Sequence, residues 1–128
     1  MARLNVEACT AEWTVGDLVF TLLVAVSVSR ADNGVAVSGL KAENFRLASS
    51  IGPVKDFNLG ATAEWKWEPD DAEPSGCYQL QILQTPGAKF VKGERYVFGI
   101  QVRTFGKGGP AEVIDQGQTI IQLISTGT

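Results

Sequence analysis

The stretch that most constrains the fold is Leu18 to Val28. Alternate residues Leu18, Phe20, Leu22, Val24, Val26 and Val28 are all apolar, while the intervening Val19, Thr21, Leu23, Ala25 and Ser27 turn small and polar. A period of two places the first set on one face of a β-strand. At about 3.3 Å per residue the strand is roughly 35 Å long. A strand with such a face belongs at the centre of a sheet, with the rest of the chain packed on it.

The remaining sequence supplies more segments of the same kind. Arg3 to Ala11 reads as a strand, with Leu4, Val6 and Ala8 opposite Asn5, Glu7 and Cys9. Thr14 to Asp17 is a turn, and Trp13 before it plugs one end of the core. Asp32-Asn33-Gly34 is a hairpin signal, since Asn-Gly tolerates positive φ, and Val35 and Val37 begin the return. Asn44 to Ser49 is read as a strand, with a helical turn over Lys41 to Phe45 as the alternative. After the Ile51-Gly52-Pro53 turn, Val54 to Leu59 is weakly patterned.

Thr62 to Glu68 alternates again, with Glu64, Lys66 and Glu68 expected outward and Ala63, Trp65 and Trp67 on the other face. Pro69 to Gly76 is a proline-bearing acidic loop. Tyr78, Leu80 and Ile82 mark one half-buried strand, which Thr85-Pro86-Gly87 turns, and Tyr96, Phe98, Ile100 and Val102 mark the next. Gly106 to Pro110 is a loop. The last strand, about Gln118 to Ser125, is ambiguous in phase because Ile120, Ile121, Leu123 and Ile124 touch both faces. Seven or eight short strands separated by turn signals are the pattern of an all-β sandwich.

Composition narrows the function. The 128 residues, 45% hydrophobic and 20% charged, suit one domain, spanning 1–128, with a real core. A net charge of -3 without a basic stripe argues against nucleic acid as partner. The chain has no histidine, which excludes Ser-His-Asp and Cys-His catalysis and any histidine-bearing zinc site. Two cysteines cannot form a structural zinc site alone, but Cys9 and Cys77 are candidates for one disulfide. The apolar run from Leu18 covers about 11 residues, too few for a membrane span. Glu12 and Asp17 stand where a signal peptide would carry basic residues. The expected location is secreted, periplasmic or cell-surface if an export signal has been trimmed, and cytoplasmic otherwise.

Three stretches together resemble bacterial immunoglobulin-like modules. Asp32-Asn33-Gly34 followed by Val37-Ser38-Gly39-Leu40 and Asn44-Phe45 is similar to the segment after their second strand. Ser75 to Ile82 resembles their G-x-Y-x-L-x-I strand, and Gly93 to Val102 the G-x-x-Y-x-F-x-I-x-V strand that follows. The resemblance covers roughly residues 15 to 105 and lacks the antibody Cys…Trp…Cys spacing. It implies a spacer, adhesion or binding domain of a surface or secreted protein.

Gly106-Lys107-Gly108-Gly109-Pro110 lacks the Lys-Ser/Thr and following helix of a phosphate loop, and reads as a hairpin loop. Asp70, Asp71 and Glu73 are too few for a calcium shell and read as solvated acids. Glu64 and Glu68 stand about 13 Å apart along one strand, beyond the roughly 5 to 10 Å of a glycosidase pair. Trp65 and Trp67 are side by side. With Glu64, Lys66 and Glu68 opposite, the core is the favoured place for them, and a flat glycan-binding platform is the alternative. Tyr78 and Tyr96 are core residues whose hydroxyls need backbone partners.

The leading expectation is a non-enzymatic binding or structural module whose partner is another protein, in a bacterial envelope, secreted or assembly system. The contacts fall on the end loops Asp70 to Gly76, Thr85 to Lys92 and Gly106 to Pro110 (with Asp70, Asp71, Glu73 and Lys107), or on the last strand through Ile120 and Ile124, where edge pairing also allows a homodimer. The alternative is a carbohydrate-binding module using Trp65 and Trp67, and a small carboxylate enzyme ranks last. No cofactor and no metal is expected.

Overall fold

The computed structural model describes residues 2–15, 20–51, 57–60, 63–64, 75–84 and 93–124. These residues are all-β, with no α-helix among them. The strands are β1 (Ala2–Val15), β2 (Phe20–Arg30), β3 (Phe45–Ile51), β4 (Phe57–Leu59), β5 (Ala63–Glu64), β6 (Cys77–Gln84), β7 (Arg95–Gly106) and β8 (Gly109–Ile124). One 3-10 turn, Ala42–Asn44, precedes β3, so the helical turn and the strand expected there both form.

The hydrogen-bonded order is β3-β7-β8-β1-β2-β6-β4, with β5 also on β6. It is a mixed sheet. Every pairing is antiparallel except β1 with β8, which is parallel and covers only Ala2↔Asp115 and Arg3↔Gln116. The sheet therefore consists of two ladders, β3-β7-β8 and β1-β2-β6-β4, hinged at the start of β1.

The long strand occupies the position its alternation demands. β2 lies between β1 and β6, and Leu22, Val24, Val26 and Val28 are no more than 1% exposed. Leu4 and Val6 of β1, Tyr78, Leu80 and Ile82 of β6, and Tyr96, Phe98, Ile100 and Val102 of β7 are buried in the same cluster. Both ladders thus contribute their apolar faces to one core. The Phe45 and Tyr78 rings meet at 5.3 Å, although β3 stands at one end of the strand order and β6 next to the strand at the other. The sheet curls over until these faces touch.

Some local expectations change. The chain turns over residues 31–33, with Gly34 at φ +72° and its N–H donating to the Arg30 carbonyl, while Asn33 does not take the positive φ that an Asn-Gly hairpin turn uses. No full hairpin follows, because β6 already occupies that edge of β2 as far as Cys77. Residues Val35–Val37 take over only beyond it, through the single bridge Ser29↔Ala36.

The Gly106–Pro110 loop is shorter than expected. Gly106 pairs with Gly109 around Lys107 and Gly108, and Pro110 is already in β8. β8 therefore begins nine residues before Gln118, over a polar stretch whose alternation is weak.

Candidate functional site

β8 carries the residues that the sequence singles out for partner contact. Its ladder with β7 settles the ambiguous phase. Ile121 faces the core at 7% exposure, while Ile120 and Ile124 face outward at 60% and 54%. The outward positions are Gln116, Gln118, Ile120, Gln122 and Ile124, opposite Arg103, Gln101, Gly99, Val97 and Arg95 of β7. From β3, Arg46 lies opposite Gln101 and its Nε donates to the Gln101 amide oxygen. β8 is not the outermost strand, as edge pairing would require, because β1 joins it at Asp115 and Gln116. Beyond Gln116 that edge has no ladder partner among the described residues. There β1 diverges to pair with β2, leaving a cleft of about 390 Å³ lined by Arg3, Asn5, Glu7 and Gln118. Gly117 permits the junction: a Cβ on it would stand 2.3 Å from the Leu4 carbonyl oxygen.

Lys107 is exposed at the β7–β8 turn. It stands roughly 35 Å along the hairpin from Ile120 at about 3.3 Å per residue, so the two do not form one site. Asp70, Asp71, Glu73, Trp65 and Trp67 lie outside the described residues, as does the Thr85–Lys92 segment.

The cysteine pairing does not form. Cys77 is a free thiol. It sits opposite Ser27 of β2, and Ser27 in turn sits opposite Glu7 of β1, so β2 separates the two cysteine-bearing strands. Two strand spacings, about 9.5 Å, exceed the Cα separation a disulfide spans.

At the end of the molecule where β2 stops, Glu64, Asp32 and Asp115 hold backbone or arginine rather than stand free. Glu64 does not face outward as the alternation suggests. It lies opposite Tyr78 on β6 and shares that residue's face. Its Oε1 accepts from the Ser38 hydroxyl and the Gly39 N–H, each at 3.0 Å, and its Oε2 from the Gly76 N–H at 3.3 Å. The Tyr78 hydroxyl donates to the Val37 carbonyl at 2.6 Å and accepts from the Leu40 N–H at 3.2 Å. Burial pushes this phenol above the ordinary tyrosine range, against the opposing pull of the Leu40 N–H. The two side chains fasten the Val37–Leu40 segment.

Asp115, 7% exposed, is a second anchor. Its carboxylate accepts from Arg30 Nη1 at 3.4 Å and the Thr104 hydroxyl at 3.3 Å, while its N–H donates to the Thr104 oxygen at 3.1 Å. Arg30 also grips Asp32 through Nε and Nη2, each at 3.2 Å. That hydrogen bond holds the Asp32 carboxyl below its usual range and, with the charges of Asp32 and Asp115, raises the arginine. Neither anchor has a local sequence signature, because their partners lie 11 to 85 residues away along the chain.

No group of three metal-capable side chains gathers among the described residues, and no described helix is long and apolar enough to cross a membrane. No protein-family model, curated protein or solved structure matches the chain.

Proposed function

We propose that this chain is an immunoglobulin-like β-sandwich module that acts without catalysis, by binding another protein through the outward face and open edge of β8. The strand order supports the fold reading. Lettering β1, β2, β3, β4, β6, β7 and β8 as A to G gives the order C-F-G-A-B-E-D. The runs A-B-E-D and C-F-G are those of the two sheets of an immunoglobulin sandwich. A place in an envelope, secreted or assembly system rests on the sequence resemblance alone.

The observation that carries the binding reading is the exposure of Ile120 and Ile124, at 60% and 54%, on one face of a regular strand. Large aliphatic side chains aligned on a rigid strand lose little conformational freedom on docking, and burying their apolar surface is favourable. Beside them the backbone edge beyond Gln116, without a ladder partner among the described residues, offers strand addition.

The test immobilises the chain and challenges it with an extract of its source cells. The parent and a Val35→Lys control are expected to retain the same protein, and Ile120→Lys/Ile124→Lys to lose it. Equal retention by all three would refute the assignment of β8. A partner of the chain's own kind would appear as a concentration-dependent dimer in light scattering, abolished by the same pair of substitutions.

A further inference from the structure

The outward face that carries Ile120 and Ile124 is basic at one end. Arg46 on β3 is opposite Gln101, and Arg103 is two residues further along β7. That makes the two arginines diagonal neighbours on one face, about 7–8 Å apart. Gln116 and Gln118 of β8 complete the row. None of the outward positions of β3, β7 and β8 described above is a carboxylate, although the whole chain has a net charge of -3. The ion pairs among the described residues are both made by Arg30, so neither Arg46 nor Arg103 has a counter-ion there.

Arg103 is also held in place and underused. Its guanidinium lies over the Phe105 ring, 5.2 Å from the ring centre, a cation–π contact. Its Nε is buried and has no hydrogen-bond partner among the described residues. A buried donor left unpaired costs free energy, and two like charges as diagonal neighbours repel. A carboxylate supplied from outside relieves the repulsion through the terminal nitrogens, because an arginine fork matches carboxylate geometry.

We infer that the β3-β7-β8 face docks an acidic protein segment, its carboxylates on Arg46 and Arg103 and its aliphatic residues on Val97, Ile120 and Ile124. This rests on the protein-binding reading above and adds the partner's chemistry to it. The spacing sets the order of side chains. Arg103 and Gln101 precede Gly99 and Val97 on the same face at a period of two, so an extended partner needs two acids followed by two aliphatics at alternate positions.

The test uses the labelled heptapeptide Glu-Thr-Glu-Thr-Leu-Thr-Leu and a twin with glutamine in place of glutamate, titrated by fluorescence anisotropy. The acidic peptide is expected to bind about ten-fold tighter than its twin, a preference that fades with added salt. Arg46→Gln and Arg103→Gln are expected to remove the preference. Arg103→Lys should restore it only in part, since the charge returns without the fork. Far-UV circular dichroism checks that each variant is folded, and Arg46, exposed, gives a variant free of core effects.

Equal binding of both peptides, lost in Ile120→Lys/Ile124→Lys, would overturn the acidic partner while leaving the protein-binding face intact. Binding of neither peptide would overturn the inference. Tighter binding of a single-stranded oligonucleotide than of the acidic peptide would overturn it too, by assigning the arginines to phosphate.

Discussion

Phe45 and Tyr78 meet ring to ring, with centroids 5.3 Å apart and planes inclined at 56°. Phe45 opens β3, at one end of the strand order, and Tyr78 lies on β6, next to the strand at the other end. The contact is where the two ladders close on each other. Phe45→Ala removes it from a site only 6% exposed and is expected to cost about 3–5 kcal/mol, read from the urea midpoint. A cost below about 1 kcal/mol would mean that the ladders do not pack there.

Tyr78→Phe keeps the ring and deletes the hydroxyl shared by Val37 and Leu40. A loss of about 1–2 kcal/mol is expected, from leaving a carbonyl and an N–H without their partner. The same hydroxyl carries a pH signature. Its folded pKa lies above the unfolded value, chiefly through burial, so the folded state favours the neutral phenol. That contribution is complete below about 10, the unfolded pKa, and is lost as pH rises through the folded value. Urea titrations between pH 8 and 11 should therefore show a steeper alkaline decline in the parent than in Tyr78→Phe; parallel curves would count against it.

Glu64→Ala removes one carboxylate from three donors, Ser38, Gly39 and Gly76. The expected cost is about 1–3 kcal/mol. The sharper readout is local: amide exchange at Gly39 and Gly76 should accelerate while exchange in β2 does not. Unchanged exchange at both glycines would contradict the latch.

Gly117→Ala tests the junction of the two ladders. The added Cβ would stand 2.3 Å from the Leu4 carbonyl oxygen, so β1 must move away from β8. A loss of about 1–3 kcal/mol is expected, with Gln118→Ala, exposed next door, near neutral. Equal effects from the two substitutions would mean that β1 does not approach β8 there.

Strands whose apolar residues keep a strict period of two were legible from sequence. β2, β6 and β7 carry Val24, Leu80 and Ile100, each 0% exposed, where the alternation places them. Alternation reports burial, and these strands are buried on one face. The first half of β8 was not legible. Residues Gly109 to Gly117 include Pro110, Glu112, Asp115 and Gln116, and pairing with β7 rather than an apolar face makes them a strand. Glu64 was misread for a related reason. A two-residue strand takes its orientation from β6, and the Tyr78 face offers it three donors. On β8, the adjacent apolar pairs Ile120-Ile121 and Leu123-Ile124 leave the phase open, and the ladder fixes it, with Ile120 and Ile124 outward and Ile121 inward. The arginine face is assembled from β3 and β7, more than fifty residues apart in sequence, and carries no contiguous motif.

The most direct measurement of the binding account is site-specific photocrosslinking in the source cells, with Ile120 replaced by p-benzoylphenylalanine and Val35 replaced in parallel. Val35 is 54% exposed and aliphatic but lies off the proposed face, which makes it a matched control. The account requires one discrete adduct from position 120, containing this chain and a second protein, with none from position 35. No adduct at position 120, or the same adducts from both positions, would contradict it.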